Sequence, residues 1–275
     1  MHFLQIVWEP SSEGINIIGD FTIHYYSMMW MVAFISGWYL MKKIYTNENQ
    51  SNEKLDALFI YSVLGIMIGA RLGHVIFYQP ELIKDDFFSI FLPFKFKGGF
   101  AFTGFRGLAS HGAAISMIIS MYLYNKKILK KSVVWILDRV VIPVALGATF
   151  VRIGNFFNSE MVGKPADESL PWAVVFKDFD NVARHPGQLY EAFGYMFVFL
   201  ILWLLYWKTS KSKQSGFLFG LFLVLLMTVR LFVEQFKIAQ VEVRADWDLN
   251  TGQLLSIPFI LIGLYFMFVY KPKSV

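Results

Sequence analysis

Apolar residues run along this chain in long blocks, with neither the two-residue alternation of a half-buried strand nor the narrow stripe of a soluble amphipathic helix. The blocks lie near 21–41, 55–78, 108–125, 132–151, 189–207, 216–236 and 252–270, and each is long enough to cross roughly 30 Å of hydrocarbon as a helix. The pattern predicts an all-α, polytopic membrane protein with about seven transmembrane helices. Pro143 and Pro258 fall inside blocks, which a membrane helix tolerates when its neighbours satisfy the freed carbonyls. The first block ends in Lys42 and Lys43 with no small-residue cleavage site after it, so it is expected to stay as a helix and not to be removed as a signal peptide.

Polar residues between the blocks set the direction. Lys42, Lys43 and Lys54 lie in the first connection, Lys126, Lys127, Lys130 and Lys131 in the third, and Lys208, Lys211 and Lys213 in the fifth. Lys271 and Lys273 follow the last block, whereas 1–20 holds no Lys or Arg. The positive-inside rule then puts the N-terminus outside and the C-terminus in the cytoplasm. The connections 79–107, 152–188 and 237–251 are longer, and they fall outside. Function tends to sit in such loops. Residues 1–275 are expected to form one integral-membrane catalytic domain, with an interfacial arm at 79–107 and an external loop region at 152–188. No internal repeat supports an inverted-repeat transporter.

Composition agrees with the blocks. The 275 residues are 56% hydrophobic and 16% charged, where soluble domains carry about 25% charge; mean hydropathy is +0.50. Aromatics make up 18%, with eight Trp, which suits side chains parked at membrane interfaces. Cysteine is absent, so disulfides, thiolate metal sites and a cysteine nucleophile are excluded. The net charge of +5 decides little, and nucleic acid is not an expected partner.

Ionisable groups near the outer ends of the blocks carry the candidate chemistry, because each costs roughly 2.5–3.5 kcal/mol at a helix centre and needs a reason. Arg71 and His74 are three apart in GARLGHVIFY. His111 opens HGAAIS, whose small residues let another backbone or a lipid head group approach. The stretch VRIGNFFNSEMVGKPAD, after the fourth block, gathers Arg152, Asn155, Asn158 and Glu160. His185, Gln188, Tyr190 and Glu191 begin the fifth block in RHPGQLYEA, and Arg230 and Glu234 are four apart in VRLFVEQF. Singly, each has a structural reading: a snorkelling arginine, an ion pair between Arg230 and Glu234, a packed histidine. Asp138 and Arg139, in the cytoplasmic half of the fourth block, read as structural.

Together, arginines, a histidine and amides at one depth suit an anionic ligand that lives there, naturally a phospholipid. Arg152 and Arg230 can each hold two phosphate oxygens. Asn155, Asn158 and Gln188 suit glycerol and ester oxygens. His111 is the best proton acceptor by its ordinary pKa, with Glu160 next if burial raises its own.

VRIGNFFNSEMVGKP resembles the signature of bacterial prolipoprotein diacylglyceryl transferases, roughly G-R-x-G-N-F-x-N-G-E followed shortly by Gly. The resemblance extends through IHYYSMMW at 23–30, GARLGHVIFY at 69–78, His111-Gly112, RHPGQLYEA at 184–192, RLFVEQF at 230–236 and GQLLSIP at 252–258. It implies a seven-helix, N-out enzyme of the bacterial cytoplasmic (inner) membrane, with its active site toward the outer leaflet or periplasm. It further implies transfer of an sn-1,2-diacylglyceryl group from phosphatidylglycerol to the lipobox cysteine thiol of a prolipoprotein. The product is a thioether, glycerol 1-phosphate leaves, and no cofactor or metal is implied. Tyr26, His111, Arg152, Asn155, Glu160, Gly163, Arg230 and Glu234 match the family's functional positions. Val151 and Ser159 replace glycines of the signature, HGAA replaces HGG, and Leu226 stands where the family often has tyrosine.

On this resemblance Arg152 and Arg230 hold the phosphate and stabilise charge on the departing oxygen. His111 takes the thiol proton, unless neighbouring arginines lower the thiol pKa enough to make a base unnecessary. Tyr26 and Asn155 orient the head group, Glu160 or Glu234 fixes an arginine or assists proton transfer, and Gly163 and Gln188 line the substrate site. The alternatives are a transporter or a non-catalytic binding protein for an anionic solute or lipid, and another lipid-head-group transferase.

Overall fold

The structure, a computed structural model, describes residues 6–10, 14–18, 21–92, 94–102, 107, 109–167, 169–238 and 251–271. Helices dominate these: α1 Tyr25–Asn47, α2 Asn52–Tyr78, α3 Leu82–Asp85, α4 Ser110–Tyr124, α5 Val133–Phe157, α6 Gly187–Lys208, α7 Phe217–Val233 and α8 Thr251–Phe268. Short strands accompany them: β1 Ile6–Trp8, β2 Gly14–Ile18, β3 Phe21–His24, β4 Phe94–Lys95, β5 Ala101–Phe102, β6 Val174–Phe176 and β7 Ala183–Arg184. The all-helical expectation is thus right for the apolar blocks and incomplete for the connections, where backbone groups outside helices must find partners.

Among the described residues, four helices are long and apolar enough to cross a membrane: Asn52–Tyr78, Val133–Phe157, Gly187–Lys208 and Phe217–Phe236, the last including a 3-10 turn after α7. Gly252–Phe268 is a shorter apolar helix. The blocks at the other two expected spans differ from their expected bounds. Phe21–His24 pairs with β2 in a hairpin, so the helix starts only at Tyr25 and runs on past Lys42 and Lys43. Thr22 and Ile23 are β-branched, which favours the strand. α4 has 15 residues, short of the roughly 20 a full crossing takes, and continues into a π-helical turn, Asn125–Leu129. α5 continues through Pro143 to Phe157, so Arg152 and Asn155 lie within its last turns and not beyond its end.

The chain divides into two compact units, Ile44–Ile136 and the remainder, with the boundary falling inside α1 and α5. In the unit Ile44–Ile136, α2 and α4 pack through small residues. Gly69 and Gly73, four apart on α2, face α4 so closely that an added Cβ would meet the Gly112 carbonyl oxygen at 2.5 Å and the Gly112 Cα at 2.7 Å. Such contacts suit a bilayer, where burial of apolar surface does not drive helices together and close van der Waals approach does. The small residues after His111 therefore admit another backbone, that of α2. Arg71 donates to the carbonyls of Ser89 at 3.0 Å, Ile90 at 3.1 Å and Gly107 at 3.4 Å. It binds the connection 79–107 to α2, a structural role distinct from the expected snorkelling. That connection holds α3, a 3-10 turn Phe87–Ile90 and the β4–β5 hairpin, with Phe87, Phe88, Phe91, Phe96 and Phe100 exposed.

In the other unit, buried Asp138 accepts from the backbone N–H groups of Gly216 at 2.7 Å and Phe219 at 2.9 Å. A carboxylate there satisfies orphan donors at the α7 N-terminus and complements its dipole. Arg139 donates to the Ser212 carbonyl at 3.2 Å. Both residues have the structural role expected. The polar connection after α5 folds as a sheet in the order β1-β6-β7, parallel between β1 and β6 and antiparallel between β6 and β7. Val162, Val174 and Phe176 pack with Trp8 and Phe156, which roots this sheet on the last turn of α5.

Candidate active site

The site begins with how α5 stops. Glu160 N–H donates to the Asn155 carbonyl at 2.9 Å and Ser159 N–H to that of Phe156 at 3.0 Å, while Ser159 takes φ 52°. These are the two hydrogen bonds and the left-handed residue of a Schellman motif. The reversal carries Glu160 back over the helix end. Its carboxylate accepts from the Asn155 amide at 2.9 Å and the Asn158 amide at 3.0 Å. Buried Gln188, at the start of α6, donates to the Glu160 carbonyl at 2.5 Å. The spacing from Asn155 to Glu160 is therefore the spacing of a helix stop, and it sets Asn155 between Arg152 and Glu160.

Arg152 Nη1 donates to Asn155 Oδ1 at 3.1 Å and to the Met161 sulfur at 3.2 Å. Its Nε lies 2.7 Å from Oε2 of Glu191, a carboxylate with no solvent exposure. Glu191 Oε1 accepts from Lys237 Nζ at 2.8 Å and from the Tyr195 hydroxyl at 3.3 Å. Lys237 also lies 3.6 Å from Glu234 Oε2. Tyr195 feels the charge of both Arg152 and Arg230, so both guanidinium groups reach one neighbourhood. Arg230 Nε is buried and has no hydrogen-bond partner among the described residues. The expected ion pair between Arg230 and Glu234 does not form among the described residues, because α7 ends at Val233 and the following 3-10 turn brings Glu234 beside Lys237. Among the described residues, three cations, Arg152, Arg230 and Lys237, thus meet two buried carboxylates, Glu191 and Glu234.

Gly163 holds the loop in place. Its N–H donates to the His185 carbonyl at 3.0 Å, its carbonyl accepts from Arg184 Nη1 at 3.1 Å, and it bridges to Lys237. A Cβ there would stand 2.8 Å from both the His185 Cβ and the Phe236 carbonyl oxygen, so any side chain would push these strands apart. Gly252 plays the same part on α8, where a Cβ would meet Glu234 Oε1 at 2.6 Å. His185 Nδ1 lies 3.0 Å from the Tyr190 hydroxyl, which accepts from Trp172 at 2.9 Å, and burial pushes the imidazole below its ordinary pKa.

Tyr26, near the start of α1, is half-buried and approaches α5 where Gly154 leaves room; a Cβ on Gly154 would meet its ring at 2.8 Å. The structure therefore gathers Tyr26, Arg152, Asn155, Asn158, Glu160, Gly163, Gln188, Arg230 and Glu234 within one unit. His111 belongs to the other unit, in the first turn of α4, and its side chain lies outside the described residues. The expected external connection 237–251 falls mostly outside them too. Sequence reasoning gave no role to Glu191, Tyr195 or Lys237. Glu191 and Tyr195 share a helical face inside an apolar block, and a carboxylate there with no cation three or four residues away demands a partner from another helix. That was the available signal.

The apolar helices make this a helical membrane protein, with a cluster of ion-paired arginine, lysine and glutamate side chains among them. Residues 13–269 match the family described as prolipoprotein diacylglyceryl transferase, and the chain belongs to that family. It is 42% identical over 275 residues to the phosphatidylglycerol–prolipoprotein diacylglyceryl transferase of Bacteroides fragilis, covering 99% of this chain and 98% of that one. Proteins of the same name from Tolumonas auensis and Chloroherpeton thalassium are 39% and 37% identical, over 91% and 96% of this chain and 92% and 93% of theirs.

Proposed function

We propose that this chain transfers an sn-1,2-diacylglyceryl group from phosphatidylglycerol to the lipobox cysteine of prolipoproteins in the bacterial cytoplasmic (inner) membrane. In this reading α1, α2 and α4–α8 all span the bilayer, with the N-terminus outside, the C-terminus in the cytoplasm and the site facing the outer leaflet. The lysine-rich connections 42–54, 126–131 and 208–213 support that direction. Family membership favours the enzyme over a transporter or a passive lipid-binding protein.

The thiolate sulfur attacks glycerol carbon 3 as the bond from that carbon to the phosphate oxygen breaks. The oxygen keeps the electron pair, so a thioether forms and glycerol 1-phosphate departs; the thiol proton passes to a base. Arg230 is the cation that meets the phosphate, and the observation that carries this is its buried Nε with no partner among the described residues. Arg152, backed by Glu191, lies against the same oxygens and stabilises the charge that grows on the leaving group. Asn158 and Glu160 orient glycerol hydroxyls at the exposed edge, with buried Asn155 behind them and Tyr26 beside Arg152. Gly163, Gln188 and Glu234 keep the loop and the cations in register. His111 is assigned as the proton acceptor on the resemblance alone.

The test gives purified protein phosphatidylglycerol and a lipobox peptide and follows peptide mass and glycerol phosphate release. The expected result is a mass gain of one diacylglyceryl group, reduced at least a hundredfold or so in Arg230→Gln. Lipid binding without release, or uptake into liposomes without peptide modification, would replace this reading with the binding or transport alternative.

A further inference from the structure

We propose that Glu191 is a positioning residue of this site, which presets Arg152 for the departing phosphate before substrate arrives. Glu191 sits inside α6 with no solvent exposure, where a lone carboxylate would cost several kcal/mol, and its two oxygens are divided between a cation on α5 and one in the segment after α7. Oε2 lies 2.7 Å from Arg152 Nε, an ion pair outside hydrogen-bonding geometry, and Oε1 accepts from Lys237 Nζ at 2.8 Å. Asn155 holds Arg152 from a second direction, through Nη1 at 3.1 Å. Arg152 is therefore fixed by groups on two helices, while the Nε of Arg230 is buried without an acceptor among the described residues. The two arginines are unequal: one is oriented in advance, and the other gains its partner with the ligand.

Charge stabilisation is most effective when the stabilising group need not reorganise as charge develops. Neutralising Glu191 would leave both arginines present and make the site more positive, so binding of an anionic lipid should not weaken. The orientation of Arg152 would be lost, so the chemical step should slow. A Glu191 that only held the fold would behave otherwise: less protein would fold, and each folded molecule would keep its kcat and KM.

The inference rests on the transfer reaction proposed above, so wild-type turnover on phosphatidylglycerol and a lipobox peptide is measured first; its absence overturns that reaction. Given wild-type turnover, Glu191→Gln is expected to lower kcat roughly tenfold to a hundredfold, with the KM for phosphatidylglycerol unchanged or lower. In an Arg152→Lys background the same substitution is expected to cost less than about threefold, because the two residues act as one unit. The charge-balanced Glu191→Gln/Lys237→Met variant removes one anion and one cation, keeps the protein folded if the single variant fails, and is expected to show the same slow step. Wild-type kcat in the folded Gln variant or in the double variant would overturn the positioning role and leave the transfer reaction standing. An equal loss from Glu191→Gln in the wild-type and Arg152→Lys backgrounds would do the same.

Discussion

Asn155 and Glu160 are fastened to each other twice, once through the backbone, where Glu160 N–H donates to the Asn155 carbonyl at 2.9 Å, and once through side chains, where the Asn155 amide donates to the Glu160 carboxylate at 2.9 Å. The first bond is the helix stop and the second is the site. Asn155→Ala removes only the second, and also removes the acceptor of Arg152 Nη1. Turnover in the peptide assay is expected to fall at least about tenfold, and the midpoint of thermal unfolding is expected to fall as well, since a hydrogen bond to a charged group contributes roughly 1.5–3 kcal/mol.

Ser159 takes the left-handed conformation, φ 52°, that this stop requires, and it stands where the signature has glycine. A side chain there costs about 1 kcal/mol relative to glycine. Its side-chain compensation among the described residues is a 3.5 Å contact from its hydroxyl to Asp178. Ser159→Gly is expected to raise the thermal unfolding midpoint in detergent by a few degrees and to leave turnover unchanged.

Asp138 satisfies two backbone donors at the start of α7 from another helix. Asp138→Ala strands buried N–H groups and is expected to destabilise the protein by about 1–3 kcal/mol. Asp138→Asn keeps one acceptor oxygen and should lose less. Thermal unfolding of the two variants checks the order.

The α2–α4 contact leaves no room at Gly73, where an added Cβ would meet Gly112 Cα at 2.7 Å. Gly73→Leu is expected to destabilise by roughly 1–3 kcal/mol or more, through separation of the two helices. Gly99, with nothing within 4 Å of an added Cβ but φ 118°, provides the contrast: its substitution strains a hairpin turn and leaves the helix pair alone. Folded yield after purification and thermal unfolding distinguish the two.

Acid should loosen the loop between α5 and α6. Burial holds the folded His185 below its unfolded value of about 6.5, so the unfolded chain binds more protons there. The stability from the neutral ring is complete above about pH 6.5 and is lost as pH falls through the folded value. Asp180, hydrogen-bonded by Arg184, is held below the ordinary carboxylate range, so its contribution is present above about pH 3.9 and disappears only at lower pH. Between about pH 7 and 5 the midpoint of thermal unfolding is expected to fall, and His185→Gln should flatten that slope while Asp180→Asn should not.

The apolar blocks became helices at nearly the expected places, because a bilayer imposes length and apolarity on each segment separately. The largest differences lay where segments stop: the hairpin at Phe21–His24, the continuation of α5 to Phe157, and the turn after Val233. Stops depend on local hydrogen bonds that hydrophobicity does not encode. Arg152, Asn155, Glu160 and Arg230 were legible as candidates, since polar groups at the ends of apolar runs need reasons. Arg71 was legible as a charge but not as a clamp on three carbonyls.

Composition and spacing were sufficient for a helical membrane protein and for its family. Packing alone decided which cation each carboxylate holds: Glu191 takes Arg152 and Lys237, and Glu234 faces Lys237 instead of Arg230. Residues as far apart in the chain as these meet only when helices are set side by side. In a low-dielectric interior that meeting determines which charges are compensated and which are left for a ligand.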